Sequence, residues 1–300
     1  MNTLIVRLGA LGDLLHTLPA VEALPGRLAW VIDPRWLPLL QGHPKIAQWI
    51  PFDRRSWPSI QQAWRTMRAQ TFDLAIDFQG LLKSALVARA SGAKYVIGHD
   101  KANLREPLAR FLYTETRLSK AAHVVDRNAD LARVAIKNEP VWLPKGEPEG
   151  DLPDKPFVLA SPFAGWRSKQ WPLEYYQELA RRVTLVLNVA PTDVEALKDI
   201  KGAIIHVSSL QGLLDATRRA AAVVGVDSGP LHIAAALHKP GVAIFGPTDP
   251  KRNGPYGDTM RVLRSPNALT SYRRGDQIDP AMRDITPDAV HAELEKLLVS

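Results

Sequence analysis

The sequence predicts an α/β protein of two domains, each a parallel sheet covered by helices. Three observations carry that prediction. The chain opens on a short apolar run that meets a glycine turn and passes into an amphipathic stretch. Short apolar runs then alternate with helical patterns through both halves, the order that produces parallel strands joined by helical crossovers. Near the middle, PKGEPEGDLPDKP is dense in proline, glycine and charge and sustains neither a helix nor a central strand.

Taken in order, Leu4 to Leu8 reads as the first buried strand, Gly9 to Gly12 as a turn, and Leu14 to Leu24 as the first helix. Strands follow at Leu28 to Ile32, Leu74 to Asp77 and Tyr95 to Ile97, with helices over Ile60 to Ala69 and Leu81 to Ala90. Residues 146–156 form the linker, so the first domain covers 1–145 and the second 157–300. There, strands at Phe157 to Ala160, Leu185 to Val189, Ile204 to Val207, Val223 to Val226 and Val242 to Phe245 alternate with helices over Leu173 to Arg182, Leu210 to Ala222 and around His232. A last helix, Pro287 to Leu298, carries Val290, Leu294, Leu297 and Leu298 at helical spacing and needs a surface to cover, which the first domain could supply. Ligands of such sheets sit outside the carboxyl ends of the strands, so the site is expected in loops that follow strands.

Composition narrows the function. The chain has no cysteine, which removes disulfides, thiolate metal sites and a cysteine nucleophile. The opening MNTLIVRLGALGD lacks the basic flank and cleavage site of a signal peptide, and no apolar run approaches the roughly 18 to 20 residues that span a bilayer. A cytoplasmic, non-spanning protein is therefore expected. The formal charge of +7 favours an anionic partner. Its cations are spread through both halves without interleaved aromatic residues, so a phosphorylated metabolite or an acidic membrane surface is favoured over nucleic acid.

Several loops carry residue types suited to group transfer. Gly9, Gly12 and Asp13 stand where the first strand hands over to the first helix, and glycine there lets backbone N–H groups approach a ligand. The spacing is neither G-x-G-x-x-G nor a lysine-containing phosphate loop. Asp13 has two readings, the cap of the following helix or a general base. In VVGVDSGPLHIAAALHKPGVAIFGPTDP a buried strand ends at Asp227, Ser228 and Gly229 turn the chain, and a helix begins near Leu231. The amides of that turn, with the positive end of the helix dipole, would hold a diphosphate without a metal. His232, one turn in, either donates to that ligand or packs as an ordinary histidine. Thr248 follows the next strand and is placed to bond phosphate, while Asp249 bonds a hydroxyl or caps a turn.

The segment Trp166 to Pro172, WRSKQWP, follows the first strand of the second half. Lys169 is its candidate cation, able to stabilise a leaving group that gains charge, against the ordinary reading of a solvated lysine. Asp193 and Glu195 could bond ribose hydroxyls, although Pro-Thr-Asp is also a common helix start. There is no Asp-x-Asp, no H-E-x-x-H and no ligand spacing among the eight histidines, so no metal-binding residue is assigned and no cofactor is expected. A Gly-x-Ser-x-Gly elbow is absent as well.

Five segments together, LIVRLGALGDLLHTLPA, DFQGLLKSA, LREPLA, DSGPLHIAAA and FGPTDP, occur in an order that resembles the ADP-heptose:lipopolysaccharide heptosyltransferases, glycosyltransferase family 9. Within that family they lie nearer the members that add the first heptose to the inner-core acid Kdo than to those that extend the core. The resemblance implies a GT-B fold, two Rossmann-like domains whose parallel sheets face each other across a cleft. It implies Asp13 as catalytic base and Lys169 as the cation that receives the departing ADP. Asp227, Ser228, Gly229 and His232 match the donor motif, with Gly12, Ser168 and Thr248 on the same side and Asp193 or Glu195 toward the ribose. Arg54, Arg55, Lys83 and Arg105, with Arg65 and Arg68, match a basic acceptor surface for Kdo carboxylates and lipid A phosphates; the plain alternative is a solvated helix face.

The reaction so implied is inverting transfer of L-glycero-D-manno-heptose from ADP-heptose to Kdo-lipid A. It would take place at the cytoplasmic face of a Gram-negative inner membrane, to which the enzyme binds peripherally. Rival readings are addition of a later core heptose, another nucleotide-sugar transferase, and a non-catalytic nucleotide-binding module.

Overall fold

The computed structural model describes residues 1–298. They form two compact units, Met1–Pro144 and Lys145–Ser300, of which Val299 and Ser300 lie outside the described residues.

In the first unit β1 (Asn2–Val6), β2 (Arg27–Ile32), β3 (Ile46–Pro51), β4 (Leu74–Asp77), β5 (Tyr95–His99) and β6 (Glu115–Arg117) form one sheet in the order β3-β2-β1-β4-β5-β6. Every pairing is parallel. Leu4, Ile5 and Val6 are fully buried because crossover helices cover a parallel sheet on both faces, and this is why the central strand is a continuous apolar run.

The second unit repeats the plan. Its strands β7 (Val158–Ser161), β8 (Leu185–Val189), β9 (Ile204–Val207), β10 (Ala222–Val226), β11 (Gly241–Phe245) and β12 (Met260–Arg264) stand in the order β12-β11-β10-β7-β8-β9, again all parallel. Read from the other edge this is the same doubly wound order. In each unit the chain reverses its direction of winding between the first and fourth strands, and the crevice such a reversal leaves lies at their carboxyl ends. Val6 stands beside Asp77 at the end of β1 and β4, and Ser161 beside Gly225 near the end of β7 and β10. Both glycine-containing motifs of the sequence therefore leave from these reversal points.

Three strands absent from the sequence reading, β3, β6 and β12, are all sheet edges. Half-solvated edges tolerate polar residues, and the runs Ile-Ala-Gln-Trp-Ile-Pro, Glu-Thr-Arg and Met-Arg-Val-Leu-Arg show no continuous apolar pattern. The predicted first helix is two, Leu11–Leu15 and Leu18–Ala23, since Pro19 lacks an N–H and is seated in the first turn of the second.

The last helix, Pro287–Leu298, covers its own unit rather than needing the first domain for support. Val290 and Leu294 are buried in one core with Tyr176, Leu179, Val242 and Ile244. The proline-rich segment after Pro144 has neither helix nor strand, yet it is tied to the second unit. Glu149 accepts hydrogen bonds from Ser209 N and Oγ at the start of the helix Leu210–Arg219, and its carbonyl pairs with His206 Nε2.

Candidate active site

The carboxyl edge of the first sheet is organised by Arg7, the residue after β1. Its guanidinium reaches sideways to the carbonyl of Phe78 after β4, and Nη2 lies 2.7 Å from Asp13 Oδ2. The Arg7 carbonyl accepts from Trp30 Nε1 at 3.0 Å, and Leu8 N donates to Gln79 Oε1 at 2.9 Å. The glycine loop is therefore bolted to both neighbouring strands. Gly9 has φ +151°, and a side chain there would come within 2.6 Å of Trp36 Nε1, so the turn needs glycine for conformation and space. Gly12 sits in the first turn of the helix Leu11–Leu15.

Asp13 occupies the third position of that helix and takes the capping role, one of the two sequence readings. Its Oδ2 accepts from Ala10 N at 3.2 Å, which caps the helix, and it also takes the Arg7 ion pair. Oδ1 has no hydrogen-bond partner among the described residues, and the side chain is 47% exposed. A carboxylate fixed through one oxygen and open at the other has the geometry to accept a proton from a ligand hydroxyl.

Behind this loop stands a buried carboxylate. Asp77 Oδ1 accepts from Gln79 N and Gly80 N, and Oδ2 accepts from Ser84 Oγ and Tyr113 Oη, each at 2.8 Å. Burial pushes the Asp77 carboxyl above its ordinary value against the pull of these bonds, and burial and Asp77 itself push the Tyr113 phenol up. The D-F-Q-G-L-L-K-S segment is thus a structural knot: Asp77 and Ser84 fold the loop that delivers Gln79 to the glycine turn.

Basic residues gather on the same edge. Arg54, Arg55, Lys83 and Arg105 are exposed, and Arg55 N donates to Asp53 Oδ1. Desolvation and then the Arg54 charge push the Lys83 ammonium down, while Glu106 and Asp33 raise it, which places Lys83 and Arg54 in one electrostatic neighbourhood. Arg65 and Arg68 do not join this group. They lie in the last turn of the helix Trp57–Arg68, whose antiparallel course carries them to the opposite, amino edge, where the Arg68 guanidinium covers Gly92 just before β5.

In the second unit Lys169 and Asp227 meet across the reversal point. Lys169 ends a short 3₁₀ turn after β7 and Asp227 follows β10; Nζ lies 3.1 Å from Oδ2, with the side chains 14% and 10% exposed. His232 Nε2 is 3.4 Å from Asp227 Oδ1. Burial acts to raise the Asp227 carboxyl, but the hydrogen bond from His232 and the Lys169 charge outweigh it and hold it well below the ordinary carboxylate range. Lys169 also stacks over Trp166 at 4.8 Å. Trp171 of the same motif is core, its Nε1 donating to Ile285 O. Lys169 is therefore a held, partly buried cation rather than a solvated surface lysine.

Around this pair, four hydroxyl oxygens are shut from solvent without a hydrogen-bond partner among the described residues: the Ser161, Ser168, Ser228 and Thr248 Oγ atoms. All stand at or just beyond the carboxyl ends of β7, β10 and β11. Ser228 is the N-cap of the helix Gly229–Ala236, yet its side chain makes no capping bond, and Thr248 neighbours Asp227 without reaching hydrogen-bond geometry. Buried polar groups are normally satisfied, so a cluster of orphaned donors beside a cation and an open helix start marks a place for an oxygen-rich anion.

Asp193 and Glu195 lie on the exposed 3₁₀ turn Pro191–Leu197 after β8; Glu195 pairs with Lys198, and neither is bonded to the Lys169 group. Asp249 caps the short helix Pro250–Asn253 through Lys251 N.

Comparison with known proteins decides the family. The model of glycosyltransferase family 9 (heptosyltransferase) matches residues 60–281. The chain belongs to glycosyltransferase family 9. It is 33% identical to lipopolysaccharide heptosyltransferase 1 of Pseudomonas aeruginosa, over 88% of this chain and 84% of that one. Identity to lipopolysaccharide heptosyltransferase 1 of Escherichia coli K12 is 31%, over 89% and 94%. The structure of Escherichia coli heptosyltransferase WaaC with ADP superposes with a TM-score of 0.78 at 27% identity, covering 99% of this chain and all of that one.

This family 9 glycosyltransferase accordingly has the GT-B type of fold, two Rossmann-like units. Arg7, Gln79 and Tyr113 were not singled out in its sequence. For Arg7 a signal existed, a lone arginine closing an apolar strand; for Tyr113 none did, because its partner is 36 residues away.

Proposed function

We propose that this family 9 enzyme transfers L-glycero-D-manno-heptose from ADP-heptose to a Kdo residue of the lipopolysaccharide inner core, with inversion. The observation that carries the donor half is the cluster of orphaned hydroxyls around Lys169 and the Gly229 helix start. The names of the relatives, and a neighbouring structure of Escherichia coli WaaC with ADP-2-deoxy-2-fluoro heptose, support the identity of that donor.

In this reading Asp13, oriented by Arg7 and Ala10 N, takes the proton of the acceptor hydroxyl as its oxygen attacks the anomeric carbon. The bond to the ADP oxygen breaks, and the charge that appears there is received by Lys169, the Ser228 and Thr248 hydroxyls and the open amides of the Gly229 helix. His232 holds Asp227 in place to position Lys169. The exposed turn carrying Asp193 and Glu195 is assigned to the ribose. One base and no covalent intermediate suffice, and the leaving charge falls on protein cations and dipoles rather than on a metal.

Arg54, Arg55, Lys83 and Arg105 are assigned to the acidic acceptor. The acceptor of this reaction is lipid-borne, and in this reading the enzyme works at the cytoplasmic face of the inner membrane. Incubation of the purified protein with ADP-heptose and Kdo-lipid A, followed by mass spectrometry, tests the reading: a product heavier by one heptosyl unit is expected. Transfer only from another nucleotide sugar, or only to an already heptosylated core, would replace it.

A further inference from the structure

One face of the first unit carries more exposed apolar area than its fold requires. The helices Trp57–Arg68 and Leu82–Ala90 lie on the same side of the sheet, since Ala63 and Met67 of one and Val87 and Ala88 of the other enter a single core. The 3₁₀ helix Pro107–Leu112 packs beside the second, joined by Leu82 N donating to Glu106 Oε2 at 2.7 Å. From these three elements Trp57, Trp64, Leu86, Leu108 and Phe111 point outward, with Trp57, Leu108 and Phe111 about two-thirds or more exposed. Isolated exposed apolar residues are ordinary, but five large ones on three elements of one side of the sheet mark an interaction surface.

The charge on these elements selects the occupant. They contain Arg65, Arg68, Lys83, Arg89 and Arg110 and no acidic residue, and the Arg110 guanidinium stacks on Phe111 at 4.5 Å. A two-fold contact between copies of this chain would set that basic array against itself. An anionic bilayer surface complements both properties at once, taking aromatic and leucine side chains at headgroup depth and cations at the phosphates. No helix among the described residues is long and apolar enough to cross a membrane, so an interfacial mode is the one available. The elements also begin at the carboxyl edge of the sheet, the edge that holds Asp13, Arg54 and Lys83.

We propose that this face docks the enzyme into the interface of an anionic lipid bilayer. The inference deepens the reading of a lipid-borne acceptor, because the same docking brings the acceptor edge to the headgroups. The test is sedimentation with vesicles of phosphatidylcholine alone or with phosphatidylglycerol, in the absence of donor and acceptor sugar. The full-length protein is expected to bind the phosphatidylglycerol vesicles and largely ignore neutral ones. Leu108→Ser with Phe111→Ser should weaken that partitioning at least about tenfold, and Arg89→Glu with Arg110→Glu about as much through charge, both with an unchanged melting temperature.

Equal binding by folded variants and wild type, or no binding of wild type to anionic vesicles, would overturn the proposal. So would a wild-type dimer in ultracentrifugation that the Leu108/Phe111 variant dissolves, which would give the face to a second copy. Vesicle binding is read without transfer, so a protein that transfers heptose but ignores vesicles refutes this inference alone. One that binds vesicles and transfers nothing refutes only the proposed reaction.

Discussion

Lys169 Nζ lies 3.1 Å from Asp227 Oδ2, each side chain largely buried, so the cation assigned to the leaving group is already paired within the protein. The pairing fixes the ammonium in place at the carboxyl end of the second sheet, where a preorganised charge stabilises a transition state without reorganising. It also means that removing the lysine leaves a buried carboxylate facing an incoming diphosphate. Lys169→Ala is expected to slow transfer by on the order of 10²-fold and to weaken ADP binding, whereas a solvated lysine would change neither. Single-turnover kinetics and ADP titration of the variant check this.

The orphaned hydroxyls give a sharper separation of ligand from fold. Ser228 Oγ has no partner among the described residues, so Ser228→Ala removes no hydrogen bond seen in the structure. Stability should stay within about 0.5 kcal/mol of wild type, while ADP affinity should fall roughly 5- to 10-fold for a lost hydrogen bond to phosphate. Urea unfolding and calorimetric titration measure the two. A variant that loses stability and keeps ADP affinity would make the serine a structural cap.

The knot at Asp77 predicts a purely structural effect. Tyr113 Oη donates to the buried Asp77 at 2.8 Å, and the Tyr113 ring lies where a Cβ at Gly98 would have to go. Tyr113→Phe leaves a buried carboxylate short of a donor and should cost about 1–3 kcal/mol. Gly98→Ala forces the ring aside and should cost as much or more. Denaturant midpoints decide, and unaltered midpoints would dissolve the knot.

A pH dependence follows from His99 at the end of β5. Burial, with the charges of Arg7 and Arg127, pushes its ring down to about 4, so the folded protein holds it neutral. Between pH about 6.5, the ordinary histidine value, and about 4, the unfolded chain binds a proton that the folded chain does not. The His99 contribution is therefore complete above pH 6.5 and is lost as pH falls through that window, at no more than about 1.4 kcal/mol per pH unit. Stability curves at pH 7.5 and 5 should converge in part for His99→Gln; an unchanged pH slope in that variant would remove His99 as the cause.

The inner strands were legible because burial on both faces leaves an uninterrupted apolar run; Leu74 to Asp77, Leu185 to Val189 and Val242 to Phe245 fall on the observed β4, β8 and β11. The edge strand Glu115–Arg117 was not, since its residues are polar and its place is set by Ile97 and His99 alongside. The loops after β1, β7 and β10 stood out by their glycines, prolines and charges. What these charges touch was hidden: Arg7 meets Phe78 and Asp13, and Lys169 meets Asp227 58 residues away. Such partners are brought together by sheet order, which a local pattern does not contain.

The central claim is that Asp13 is the base, positioned by Arg7 and open at Oδ1. The most direct measurement is transfer by Asp13→Asn, made beside ADP affinity on the same preparation. An asparagine keeps the size and a cap for Ala10 N but cannot take a proton, so turnover should fall by about 10²- to 10⁴-fold with ADP affinity nearly unchanged. Turnover close to wild type in a variant that binds ADP normally would contradict the account.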